Sequence, residues 1–296
     1  MTVYNGGPYL KSAIDSVLAQ SFKDFEFLIV NDASRDNSLA TITSFKDPRI
    51  KVITNDPNRG QTASLNIGLR AATGEFVARM DADDRAYPQW LEHLFKAIKK
   101  QDDCVVISPR AAAMDSHGRF SRVLNSPRTK EDIVLKSLFA SPINHVGCLM
   151  RRHAVLKMGG YDESYKVAAD YDLWSRLLRS GYKLVPHPEV LVSVRFHQSS
   201  ATALEMGNKV IPEMTRIMKE NIAYWKKMDL DQAQMTDFWR LMYTPEILSL
   251  EEYRHGLDLL NRIYGPCLFL KNQKRIVWGK RVLGKSRHMV KKVFKR

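Results

Sequence analysis

Apolar residues at Leu10, Ala13, Ile14, Val17 and Leu18 recur at the spacing of one helical face, and Pro8 just ahead of them fits a first helical turn. This pattern predicts a helix starting near Pro8. The run Glu26-Phe27-Leu28-Ile29-Val30 is short, aromatic and β-branched, and it stops at the turn-forming cluster Asn31-Asp32-Ala33-Ser34. It reads as a buried strand with Asp32 at its carboxyl end. A second strand over 50–53 leads through a polar segment to Gly60, followed by a helix over 62–72 closed by Gly74. A third strand, 75–80, ends at Asp81-Ala82-Asp83-Asp84; Pro88 opens a further helix to Lys100, and Val105-Val106-Ile107 is a fourth strand.

Strands alternating with helices imply an α/β fold, a mostly parallel sheet with helices on both faces, whose ligands bind beyond the carboxyl ends of the strands. Asp32 and the Asp81 to Asp84 cluster fall at those ends. A single aspartate there is ordinarily a loop or helix-cap residue. Three carboxylates in four residues repel one another unless protons or a cation neutralise them, and hard divalent ions do so readily.

The pattern continues with a helical segment over 132–139, a strand at 148–150 and the turn Gly159-Gly160-Tyr161-Asp162. A helix then runs from Ala168 until Gly181 terminates it, with Asp170 in its first turn, where a carboxylate suits the helix dipole. Strands over 182–185 and 191–196 end at His197-Gln198-Ser199-Ser200. From Ala203 helical patterns dominate (205–228, 231–243 and 249–263), broken at Pro245 and at Gly265-Pro266. The expected organisation is an α/β domain over 1–202, a C-terminal α-helical extension over 203–270, and a tail over 271–296.

With 44% hydrophobic and 26% charged content over 296 residues, the composition excludes wholesale disorder. Three cysteines, Cys104, Cys148 and Cys267, with no close pair, build neither a disulfide framework nor a thiolate zinc site and suit a reducing compartment. No apolar run reaches the roughly 18 to 20 residues of a bilayer span, and no basic segment followed by an apolar one opens the chain. The protein is therefore expected to be neither secreted by a cleavable signal nor membrane-spanning. The net charge of +14 is concentrated: residues 271–296 hold eleven Lys or Arg and no acid, and the rest carries 35 bases against 32 acids. No G-x-G-x-x-G follows a predicted strand, which argues against a dinucleotide-binding oxidoreductase.

Five separated segments, in order, resemble the family-2 inverting glycosyltransferases of the GT-A fold, which use nucleotide-diphosphate sugars. They are Val3-Tyr4-Asn5-Gly6 with Gln20-Ser21-Phe22; Ile29-Val30-Asn31-Asp32-Ala33-Ser34; Asn58-Arg59-Gly60 through Asn66-Ile67-Gly68-Leu69; Met80 with Asp81-Ala82-Asp83-Asp84; and Gly159-Gly160-Tyr161-Asp162 with Ala169-Asp170-Tyr171-Asp172-Leu173-Trp174. The resemblance implies that Asp32 accepts hydrogen bonds from the nucleobase, commonly uracil, with Tyr4, Asn5 and Arg59 lining the same nucleotide pocket. It implies that Asp83, the second carboxylate of an Asp-x-Asp signature, holds a Mg or Mn ion bridging the donor's diphosphate. Asp81 then contacts the ribose or the metal and its water, and His197 completes the metal shell. Asp170 matches the catalytic base, which an inverting transfer needs on the face opposite the leaving diphosphate.

Three positions depart from the family pattern. Asn31 stands where relatives often carry a second aspartate, and Ala169 where many carry Glu beside the base. Most of an apolar first strand is missing ahead of Val3, so the natural start is expected upstream. Ala169 and the short start keep open the alternative of a catalytically inactive nucleotide-sugar-binding relative. In the tail, Ile276, Val277, Trp278, Val293 and Phe294 interleave with bases, which suits an anionic membrane surface. The expected partners are a nucleotide-sugar donor, a glycan or lipid-linked acceptor and that membrane, with the protein cytoplasmic and peripheral on the inner face. Nucleic-acid binding through the tail is the rival reading, but it leaves the acidic cluster unexplained, and no nucleic-acid partner is expected.

Overall fold

The structure is a computed structural model that describes residues 1–197, 210–243 and 249–264. The chain divides into two compact units, Met1–Gly207 and Asn208–Arg296. The tail over 271–296, and with it the membrane expectation, lies outside the described residues.

In the first unit β1 (Thr2–Val3), a 3-10 turn (Gly7–Tyr9), α1 (Leu10–Leu18), β2 (Phe27–Asn31), α2 (Ser38–Ser44), β3 (Ile50–Thr54) and α3 (Gln61–Ala71) form a parallel layer ordered β1-β2-β3. Then follow β4 (Phe76–Ala78), β5 (Arg85–Ala86), α4 (Trp90–Lys99), β6 (Cys104–Met114), β7 (Phe120–Val123), α5 (Lys130–Ser137), β8 (Leu149–Arg151), α6 (Arg152–Lys157), α7 (Ala169–Arg179) and β9 (Lys183–Arg195). Their sheet is ordered β4-β8-β6-β9-β5, with β7 added to β6.

The α/β class is as expected, the elements α2, β5, β7 and α6 were not foreseen, and the pairing is mixed. Only β6 and β9 are parallel in the second sheet; β4 with β8, β5 with β9, and β6 with both β7 and β8 are antiparallel. Connection length explains much of this, because a parallel pair needs a crossover of a dozen or more residues. Residues 115–119 between β6 and β7 permit only a hairpin, whereas 115–182 between β6 and β9 hold three helices.

The sequence pattern also divided β9 into two strands and shortened β6. Both are long because each buries most of its length against the other, including Ala111, Ala112 and Ala113, residues of low strand propensity that full burial carries into the sheet. The pairing slips in register between Ser108 and Arg110, opposite the Pro186-His187-Pro188 segment, where each proline lacks an N–H for the ladder.

The core lies where α1 and α4 cover the sheets. Leu10, Ile14, Ile29, Leu94 and Ile98 are fully buried there, each contributing about 1.5–3 kcal/mol. Trp90 donates its indole N–H to the Gly147 carbonyl at 2.7 Å. Gly147 has φ +77°, and a Cβ there would lie 2.6 Å from Val192 Cγ1, so only glycine fits. β1 pairs with β2 alone among the described residues, and a cleft of about 540 Å³ lined by Thr2, Leu28, Val30, Val77 and Ala78 separates this edge from β4. The Met1 amine donates to the Leu28 carbonyl at 2.9 Å at the buried end of this edge.

In the second unit α8 (Val210–Lys226), α9 (Gln232–Tyr243) and α10 (Leu250–Tyr264) bury Ile217, Ile222, Phe238, Leu241 and Leu259, and Arg240 pairs with Glu252 at 2.6 Å. No helix among the described residues is long and apolar enough to cross a membrane.

Candidate active site

The carboxyl end of β2 carries Asp32, which is 2% exposed. Its Oδ1 accepts from Asn55 Nδ2 and from the Arg59 backbone N–H, both at 2.8 Å, and its Oδ2 accepts from the Gly60 N–H at 2.9 Å. Asn58 Nδ2 donates to the Asp32 carbonyl at 2.8 Å. Asp32 therefore fastens the 55–60 loop, and three of a carboxylate's roughly four acceptor positions are taken. Gly60, at φ +87°, lets that loop turn directly into α3.

Asn5 caps the facing loop: its Oδ1 accepts from the Arg35 N–H at 2.8 Å and its own N–H donates to Ser34 Oγ at 3.1 Å. Asn5 itself is left-handed at φ 51°, a conformation asparagine tolerates. Tyr4 and Arg59 are exposed beside these loops. Of the residues expected at a nucleotide, Tyr4, Asn5 and Arg59 thus lie along two hydrogen-bonded loops next to Asp32, and Asp81 lies in the acidic cluster after β4.

Asp81, Asp83 and Asp84 follow β4, and one oxygen from each lies within 4.8 Å of the others. His197, just past β9, brings Nε2 to 2.9 Å from Asp83 Oδ2. The expected pair of Asp83 and His197 is therefore juxtaposed, although 114 residues separate them in the chain. Asp84 is 1% exposed and accepts the Arg195 N–H at 2.7 Å. The Arg195 side chain donates to the carbonyls of Asp83, Asp115 and Ser116, and its guanidinium lies 4.3 Å over the Tyr9 ring.

Asp81 is ion-paired with the buried Arg79. Burial raises the affinity of Asp81 for its proton; Arg79 opposes this and Asp83 adds to it. Burial, then Asp81 and Asp83, push Asp84 well above the ordinary carboxylate range. Such crowding of oxygen donors, with one nitrogen at its edge, fits a hard divalent cation, and Asp83, Asp81 and His197 are the residues that could hold one.

Asp170 stands in the first turn of α7, and Arg79 acts electrostatically on it as it does on the acidic cluster. Its Oδ2 accepts from Ser141 Oγ at 2.8 Å. Burial raises the Asp170 pKa, while Ser141, the Tyr171 N–H and Arg79 pull it down. Around it, burial pushes the Cys148 thiol up to about 12 and holds the Lys136 ammonium down to about 8, the latter opposed by Asp170. His145, whose Nε2 lies 2.7 Å from the Tyr161 hydroxyl, is kept well below its usual value by burial and by Arg79.

The turn carrying Tyr161 is pinned to α3. Asn66 Nδ2 donates to the Tyr161 carbonyl at 2.8 Å, and Asn66 Oδ1 accepts the Tyr161 N–H at 2.9 Å. Ala169 is buried beside Asp170.

Arg79, Ser141 and Arg195 are the site residues that motif reading missed. Arg79 had a detectable signal, since an arginine inside the apolar run Phe76-Val77-Ala78-Arg79-Met80 must find a partner when buried. Ser141 had none, because the contact spans 29 residues of irregular chain.

The model of glycosyl transferase family 2 matches residues 1–159. An uncharacterized glycosyltransferase of Haemophilus influenzae is 30% identical over 244 residues, covering 77% of this chain and 74% of that protein. One of Rickettsia typhi is 35% identical over 207 residues, covering 68% of this chain and 64% of that protein. Among solved structures, S. aureus TarS 1-349 in complex with UDP-GlcNAc superposes with a TM-score of 0.63 at 16% identity, covering 88% of this chain and 78% of that one. At that identity the likeness speaks for the fold, which is GT-A. With more than half its length matched by the family model and an acidic cluster at the strand ends where the motifs placed it, the chain belongs to glycosyl transferase family 2.

Proposed function

We propose that this chain moves a hexosyl or N-acetylhexosaminyl group from a nucleotide-diphosphate donor, a UDP-sugar, to an acceptor hydroxyl, inverting the anomeric centre. The product belongs to a polysaccharide or glycolipid. The observation that carries the reading is the convergence of Asp83 and His197 at 2.9 Å, beside Asp81, whose partner Arg79 also acts electrostatically on Asp170. TarS, with the same fold, has been solved with UDP-GlcNAc and with UDP, which supports a uridine nucleotide.

In this reading Tyr4, Asn5 and Arg59 line the nucleotide, and Asp32 shapes the loop beneath it while offering its remaining acceptor position to the base. Asp83, Asp81 and His197 hold a Mg or Mn ion. When bound, that ion supplies positive charge that offsets the charge developing on the departing diphosphate. Asp170 removes the acceptor hydroxyl's proton. A carboxylate is a weak base for an alcohol, so its contribution rests on placement against a proton that becomes acidic as the new bond forms. The eleven bases of 271–296 suit an anionic membrane surface, the inner face of the cell membrane, where a lipid-linked acceptor would lie.

Isothermal titration of UDP, GDP and dTDP with and without Mn, on the wild type and Asp83→Ala, tests the reading. One nucleotide is expected to bind in a Mn-dependent way that Asp83→Ala abolishes. Mn-independent binding unchanged in the variant would overturn the metal assignment.

A further inference from the structure

Asp170 stands in the first turn of α7, but the connection after α5 decides how its carboxylate is held. The start of α5 is fixed by a capping box, in which Thr129 Oγ1 accepts the Asp132 N–H and the Asp132 carboxylate accepts the Thr129 N–H. Its end is fixed to α7, because the buried Tyr171 hydroxyl donates to the Ser137 carbonyl at 2.7 Å. Ser141 follows four residues after that anchor.

Its hydroxyl has one proton and two acceptors in reach, Asp170 Oδ2 at 2.8 Å and the Ile143 carbonyl at 3.2 Å. The nearer and ionised acceptor takes it, since a bond to a carboxylate is roughly twice as strong as one between neutral groups. The Ile143 carbonyl is the weaker competing acceptor for the same proton.

We infer that Ser141 is a positioning residue for Asp170: its hydroxyl ties down one carboxylate oxygen, sets the plane of the carboxylate toward the acceptor, and holds the group ionised. This assignment rests on the reading of Asp170 as the base. Every element packed around Asp170 contributes to its charge state. Lys136 on α5 and Arg79 after β4 favour the carboxylate, while Cys148 beside β8, Tyr161 in the glycine turn and the acidic cluster contribute groups that disfavour it or remain neutral. Against burial, which disfavours the charge, the Ser141 hydroxyl donates a hydrogen bond to this carboxylate at 2.8 Å.

The test compares Ser141→Val, which adds branching at Cβ and removes the hydroxyl, with Ser141→Thr, which adds the same branching and keeps the hydroxyl. In the full chain, a carbon-13 NMR titration of labelled aspartate carboxyls reads the Asp170 midpoint, its resonance identified by its loss in Asp170→Asn. The midpoint should lie at higher pH in Ser141→Val and return to the wild-type position in Ser141→Thr. Turnover of UDP-GlcNAc should fall about tenfold in kcat with KM unchanged for Ser141→Val, the size expected for one bond to a charged group, and recover in Ser141→Thr. An unmoved midpoint in a folded Ser141→Val overturns the assignment. Wild-type turnover by Asp170→Asn overturns the base reading instead, and the midpoint comparison tells the two failures apart.

Discussion

Replacing Asp32 by Asn separates a residue that builds the site from one that only reads a nucleobase. The change preserves shape and removes the charge. In either orientation of the amide its NH₂ group meets a donor: the Gly60 N–H on one side, or Asn55 Nδ2 and the Arg59 N–H on the other. The milder orientation sets the Gly60 N–H against the amide. It loses one charge-assisted bond, worth about 1.5–3 kcal/mol, and leaves a partly buried donor unpaired at a further cost of about 1–3 kcal/mol. These terms overlap, because part of the first is the second, and the two surviving bonds weaken as the charge goes. The expected loss is about 2–4 kcal/mol without any nucleotide present. For a unit of this size that corresponds to a fall in Tm of about 5–15 °C. Thermal unfolding of wild type and Asp32→Asn in nucleotide-free buffer measures it, and hydrogen exchange should show faster opening of the Arg59 and Gly60 amides. A Tm within about 1 °C of wild type would refute the reasoning and leave Asp32 a nucleobase contact only.

Gly160→Ala should lower stability by about 1–3 kcal/mol, because φ is +75° there and the new Cβ would lie 2.6 Å from Asn66 Oδ1; denaturant unfolding reads the change, and an unaltered midpoint contradicts the proposed lock between α3 and the glycine turn. The carboxyl of Glu26 is held at about 2 by Lys51 and Thr73 against the opposing effect of burial. Its contribution is therefore present above its ordinary value of 4.5 and lost as pH falls toward 2, so Glu26→Gln should flatten the acid-unfolding curve in that window, and a curve parallel to wild type there counts against it. Deleting residues 271–296 should abolish flotation with vesicles rich in anionic lipid, with retained flotation ending the membrane reading.

Much of the architecture was legible because burial obeys period. The helical spacing of Leu10, Ala13, Ile14 and Val17 marks one buried face and the run Glu26 to Val30 a buried strand, and α1 and β2 lie there, with β2 one residue further on at Phe27–Asn31. The divided reading of β9 came from Pro186 and Pro188, which interrupt propensity locally while the long pairing with β6 carries the strand across. The sheet's mixed direction was hidden for a related reason, since periodicity gives the faces of a strand and says nothing of its neighbours.

At the site, Asp32 and the Asp81 to Asp84 cluster could be singled out from position alone, at the ends of predicted strands, and Asp170 and His197 through the family resemblance. Their partners could not. Arg79 acts through its pairing with Asp81, and Ser141 through a contact made by two elements arriving at one place; both depend on tertiary geometry that no local motif encodes. The reading of Asp32 was incomplete for the same reason, as its three donors come from the next loop.

The most direct test of the central claim, that the acidic cluster holds the donor while Asp170 does the chemistry, is UDP-sugar binding and turnover measured together for Asp83→Ala and Asp170→Asn in Mn. Asp83→Ala should lose binding and turnover alike. Asp170→Asn should bind the donor as wild type does and lose about 10²–10⁴ in kcat, the usual contribution of a positioned base. Undiminished turnover in Asp170→Asn, or undiminished donor affinity in Asp83→Ala, would contradict the account.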